Sequence, residues 1–82
     1  MSITDTLNPT EADRLAAFRQ FLISVDDLSS FDGSTVDGNT ITQTDGFSCW
    51  VVTRDEVNAA GLWDDNLETV EHGGTEWVVM AL

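Results

Sequence analysis

The apolar positions of the chain change period once, near Gly33, and the change separates a helical part from a strand-forming part. Upstream, Leu15, Phe18, Leu22 and Val25 recur every three or four residues, with Ala12 and Phe21 widening the stripe. Glu11, Asp13, Arg14 and Gln20 fall on other faces, which is the spacing of an amphipathic helix. Asn8-Pro9-Thr10-Glu11 supplies its start: a capping side chain at Asn8, proline at the first helical position, and a glutamate able to reach back to the Asn8 amide. These signals predict a helix over 9–24, preceded by a short arm over 1–7, and followed by a loop in which Leu28 and Phe31 tuck inward.

Beyond Gly33 the spacing is that of strands. Asp37-Gly38 and Asp45-Gly46 are hairpin signals, and they predict a meander over 34–36, 39–44 and 47–53. The run FSCWVVT over 47–53 is the most apolar segment with strand-forming composition, and TEWVVMAL over 75–82 matches it in character, so the two are expected side by side. A two-residue loop at Asp45-Gly46 would set Ile41 opposite Trp50 and place Ile41, Trp50 and Val52 under the helix. Thr40, Thr42, Thr44, Phe47, Cys49 and Val51 would then form a mixed opposite face, free to be exposed or to serve an interface.

Thr53-Arg54-Asp55-Glu56 is a second capping box, opening a short helix over 54–60 that Gly61 closes. A final hairpin, 67–72 and 75–81, turns at Gly73-Gly74, and its acidic strand is the natural edge. The expected fold is α+β: a mainly antiparallel sheet of about five strands, ordered 1-2-3-5-4, covered by the long N-terminal helix, with the short helix between strands 3 and 4. Its 82 residues make one compact domain.

Charge alters the picture more than composition does. Fifteen Asp and Glu face only Arg14, Arg19 and Arg54, with no lysine, for a net charge of −12. No basic patch can form, which disfavours direct nucleic-acid binding and anionic membranes. The apolar content of 41% still suffices for a folded core. The single cysteine, Cys49, excludes an internal disulfide and reads as a buried apolar residue, and with no leader or membrane span the expectation is a soluble, cytoplasmic protein.

Catalytic chemistry finds little support. His72 is the only histidine, next to a turn, and Walker, GxGxxG, GxSxG and HExxH patterns are absent. A calcium loop starting at Asp32 would need an oxygen ligand at Val36 and glycine at Asp37, so the reading is a non-enzyme without cofactor or metal. Seven acids have local duties: Glu11, Asp13, Asp55 and Glu56 in first helical turns, and Asp32, Asp37 and Asp45 before turn glycines. Asp5, Asp26 and Asp27 are left over, as are Asp64, Asp65, Glu68, Glu71 and Glu76, the last two opposed across the hairpin. Those five acids of the last third, with Trp63 or Trp77 as an aromatic anchor, are the candidate partner-binding residues.

In size, charge and lack of catalytic motifs the chain resembles the acidic anti-restriction and anti-CRISPR proteins of phages and mobile elements, a likeness of composition that carries over no residues. It implies a small inhibitor whose carboxylates imitate nucleic-acid phosphate and occupy a basic surface of a DNA- or RNA-handling protein. The alternative is a domain of a halophilic organism, its acidity an adaptation to salt, acting as an accessory or dimerising subunit, so the chain is expected as monomer or homodimer. Under either reading, screening the acids should stabilise the fold: the melting temperature should rise from low salt to about 0.5 M NaCl in a calorimetric titration.

Overall fold

The computed structural model describes residues 9–82. The arm expected over 1–7 and the cap expected at Asn8 lie outside the described residues. Helix α1 (Glu11–Ser24) is capped at Thr10, whose Oγ1 accepts the Asp13 N–H at 3.1 Å while the Asp13 carboxylate accepts the Thr10 N–H at 2.9 Å. A threonine with an acid three residues on satisfies two orphan amides at once, and Pro9, which has no N–H, simply precedes it. Glu11 is thereby released from a capping role and accepts the Gly38 N–H at 2.8 Å, tying the helix start to a distant hairpin turn.

The buried face of α1 is Arg14, Ala17, Phe18 and Leu22, with Leu15 and Phe21 alongside. This is the expected stripe rotated, because Ala12 and Val25 are exposed and Arg14, assigned above to a polar face, is only 8% exposed. The helix ends in a Schellman turn: the Asp27 N–H donates to the Leu22 carbonyl and the Asp26 N–H to that of Ile23. Asp26 there takes the left-handed conformation, φ 58°, without being glycine. A 3₁₀ turn (Leu28–Phe31) follows, which seats Phe31 against the core but leaves Leu28 exposed rather than tucked in.

Five antiparallel strands, β1 (Thr35–Asp37), β2 (Thr40–Thr42), β3 (Ser48–Thr53), β4 (Thr69–His72) and β5 (Thr75–Ala81), take the order β1-β2-β3-β5-β4. Helix α2 (Arg54–Ala59) connects β3 to β4. The apolar β5 lies inside the sheet next to β3, and β4, bearing Glu71, is left at the edge. None of the helices described is long and apolar enough to cross a membrane.

The β2–β3 hairpin differs from expectation by one residue. Gln43, not Thr44, closes it: the Gln43 N–H donates to the Phe47 carbonyl, and Thr44, Asp45 and Gly46 form a three-residue loop with Gly46 at φ 91°. Such loops end in a glycine bulge, and Asp45 favours this one by accepting the Phe47 N–H at 2.9 Å. Ile41 therefore pairs with Cys49 and Thr40 with Trp50, and the expected faces of β3 exchange. Cys49 and Val51 lie under α1 with Ile41, Val70, Phe18 and Trp77, whereas Trp50 and Val52 are on the other side.

That second face has its own, smaller core. Val52 and Val78 pack with Val57 of α2, and Trp63, Leu67 and Met80 close around them. Each valine fully withdrawn from water contributes roughly 1.5–2 kcal/mol, so α2, too short to persist alone, is held by this contact and by its caps. Thr53 and Glu56 form the expected capping box, and Leu62 and Gly61 complete a Schellman turn on Val57 and Asn58.

Asp26 concentrates two unfavourable features, a left-handed backbone and a negative charge at a helix C-terminus. Replacing Asp26 with glycine should stabilise the protein by about 0.5–1 kcal/mol in urea unfolding, and replacing it with alanine should not.

Candidate functional site

The acids singled out in the last third lie along the β4–β5 hairpin and the segment that covers the second face. Glu71 stands directly opposite Glu76, as the Gly73-Gly74 turn requires. The repulsion is relieved from a third element, since Arg54 Nη1 of α2 donates to Glu76 Oε1 at 3.0 Å. The same guanidinium lies over the Trp63 ring, 4.2 Å from its centroid, and Trp63 Nε1 donates to Asp65 Oδ1 at 3.1 Å. Glu76, Arg54, Trp63 and Asp65 thus form one surface chain of contacts, and Asp64 accepts the Asn66 N–H beside it. Among the described residues Glu68 and Glu71 have no side-chain partner.

Neither tryptophan offered as an anchor is a free ring. Trp77 is 3% exposed, its indole N–H donating to the His72 carbonyl at 3.3 Å. Trp63 is partly buried against Val52, Val57 and Val78 and carries Arg54 on its face. The exposed indole is Trp50, 38% accessible, which the two-residue loop reading had placed under the helix.

Where the start of α1, the start of α2 and the β4–β5 turn converge, a cleft of about 570 Å³ opens. Asp13, Asp55 and Glu56 line it, with His72, Thr75 and the edge of Trp77. The Asp55 carboxylate is exposed and makes no hydrogen bond among the described residues, unlike the other two acids of the cleft. Asp13 and Glu56 each serve a capping box as well.

Glu56 has a second bond that sequence spacing did not disclose. Arg14 reaches it in bidentate geometry, Nη1 to Oε1 and Nη2 to Oε2, both at 2.9 Å. Arg14 Nη1 also donates to the Val51 carbonyl at 2.7 Å. The Val51 N–H donates to Asn39, just before β2 begins, so its carbonyl points to a side on which no strand partner continues. Arg14 supplies the missing donor, with its guanidinium 6.0 Å from the Trp77 ring centroid.

The hydrogen bond from Arg14 outweighs partial burial and holds the Glu56 carboxyl below the ordinary value of 4.5. It is therefore a fixed anion rather than a proton donor near neutrality. Burial pushes the Cys49 thiol up, away from the thiolate a nucleophile needs. No grouping of three His, Cys, Asp or Glu side chains among the described residues is placed to hold a metal ion. No protein-family model, curated protein or solved structure matches the chain.

Breaking the Arg14–Glu56 pair from one side should be costly. Arg14→Met should lose about 2–4 kcal/mol in urea unfolding, because Glu56 and the Val51 carbonyl lose their donor, and Arg14→Met with Glu56→Gln should recover part of that loss. Glu56 is also a pH-dependent contributor. Its folded-state pKa is depressed, so its contribution is complete above the ordinary value of 4.5 and is lost as pH falls through the folded value. The stability difference between wild type and Glu56→Gln should accordingly be constant near neutrality and shrink on acidification.

Proposed function

We propose that the chain is a small non-enzymatic binding domain that presents carboxylates to a basic surface of a nucleic-acid-handling protein, in the manner of a phosphate-imitating inhibitor. The observation that carries this reading is the distribution of positive charge. Arg14 is paired with Glu56 and Arg54 with Glu76, so two of three arginines are engaged internally close to the cleft. Among the described residues Asp55 and Glu71 have no side-chain partner near the Gly73-Gly74 turn and Glu68 has none before the start of β4, and a cationic partner would be steered to these acids.

One observation favours the alternative, a domain adapted to salt. Carboxylates also occupy turns remote from the hairpin, including Asp26, Asp32, Asp37 and Asp45, and several serve as local caps, as Asp13, Asp45 and Asp64 do. Dispersal of this kind needs no partner.

Two pairs of isosteric variants distinguish the readings. Glu68→Gln with Glu71→Gln removes carboxylates that have no internal partner, while Asp37→Asn with Asp45→Asn alters remote turns. An inhibitor should capture a basic nucleic-acid-binding protein at moderate salt, release it to added duplex DNA, and associate more slowly in the first pair only. Equal behaviour of both pairs, or failure to retain any such protein, would favour salt adaptation.

A further inference from the structure

We propose that the outer edge of β4 binds an extended basic segment, which adds to the sheet as a further strand. The inference rests on the inhibitor reading above and specifies how its partner is held. The turn between β4 and β5 is Gly73-Gly74, both at positive φ, so His72 and Thr75 exchange ladder bonds and the pattern alternates back along the hairpin. Val70 then bonds to Trp77, whereas Thr69 and Glu71 turn their N–H and C=O groups outward. No backbone group of another element bonds to them among the described residues. The opposite edge offers less: Thr35 and Asp37 are bonded to Thr42 and Thr40, which leaves Val36 alone turned outward in β1.

Charge complementarity selects the occupant. Val70 and Trp77 lie beneath α1, so the next pair, Glu71 and Glu76, stands side by side on the other face. Arg54 compensates Glu76 from the inner side, at 3.0 Å. The row across the sheet therefore reads cation, anion, anion, open edge. A lysine or arginine on an added strand completes it, because directly opposed residues of neighbouring strands are about 4.5–5.5 Å apart and opposite charges there attract. A neutral strand leaves Glu71 facing Glu76 without compensation. A second copy of this edge brings Glu68 and Glu71 against the same two acids, on a chain of net charge −12. The edge thus rejects its own kind and admits a basic strand.

A capped peptide of about eight residues alternating lysine and threonine, which sets every lysine on one face of a strand, is the probe. Added to the full chain at about 1 mM and low salt, it should slow amide hydrogen exchange at Thr69 and Glu71 at least about threefold. Val70 and His72, already bonded to β5, should change less. Glu71→Gln should weaken the peptide about two- to fivefold, the range of a cross-strand ion pair. The same peptide N-methylated throughout keeps its charge but has no backbone donor, and should bind at least about tenfold more weakly. Thr69→Pro takes one outward donor from the first position of β4 and spares the ladder to β5, with folding checked by circular dichroism. It should weaken both the peptide and capture of a basic nucleic-acid-binding protein. Equal binding of the N-methylated peptide, no slowing at Thr69 and Glu71, or undiminished capture by folded Thr69→Pro would overturn strand addition and leave the inhibitor reading standing on surface charge alone. Slowed exchange at both amides in a chain that captures no basic protein would uphold the edge and sink the inhibitor reading.

Discussion

The placement of one guanidinium conditions most of this structure. Arg14 enters the molecule from α1, completes the hydrogen bonding of the central strand at Val51, and grips the carboxylate that caps α2. Three elements that meet on different layers are thereby fixed to one side chain. An ion pair at this depth is weak evidence of net stability, since both charges lose hydration. What it does supply is geometry: α2 can begin only where Glu56 reaches Arg14 and Thr53 together, and the cleft beside it inherits its shape from that constraint. The Arg14–Glu56 pair is neutral as a unit, so the net charge of −12 is carried by the other ionisable groups of the chain.

The division of apolar residues between two cores follows from strand register. With Ile41 opposite Cys49, β3 sends Cys49 and Val51 toward α1 and Trp50 and Val52 away from it. Among the described residues, α2, Trp63 and Leu67 cover the part of the second face around Val52 and Val78. An antiparallel sheet tolerates one wet face, but a tryptophan and a terminal leucine on it are an uncommon way to meet water.

Much of the fold was legible in the chain because the signals were local. Strand order, the Gly73-Gly74 hairpin and the Thr53–Glu56 capping box rest on residues within a few positions of one another, whereas the first hairpin was placed correctly but turns at Gly38-Asn39 rather than Asp37-Gly38, Asp37 pairing with Thr40. Errors arose where two local signals competed or where the deciding partner was distant. The helix begins after the Thr10–Asp13 capping box rather than at Pro9, and Gln43 closes the hairpin one residue earlier than the Asp45-Gly46 signal alone implies. Arg14 read as a surface residue because its partners are 37 and 42 positions away, a separation over which periodicity carries no information. The acids of the hairpin were located correctly along the chain, but Arg54 and its neutralising contact with Glu76 belong to another element. Trp63 was legible as an anchor only in the sense of a large apolar ring; which side of it faces solvent is a tertiary fact.

The bulged loop at Thr44–Gly46 has a bearing on how such a sequence can diverge. Most connections here could lengthen or shorten with local effect, because the elements they join are held by their own caps and cores. At this loop, removing a single residue would restore the tighter hairpin and turn β3 over, exchanging Cys49 and Val51 with Trp50 and Val52 across the sheet. Lineages descended from this chain are thus free to exchange residues around the loop but constrained in its length, so an insertion or deletion there should accompany compensating changes on both faces of β3.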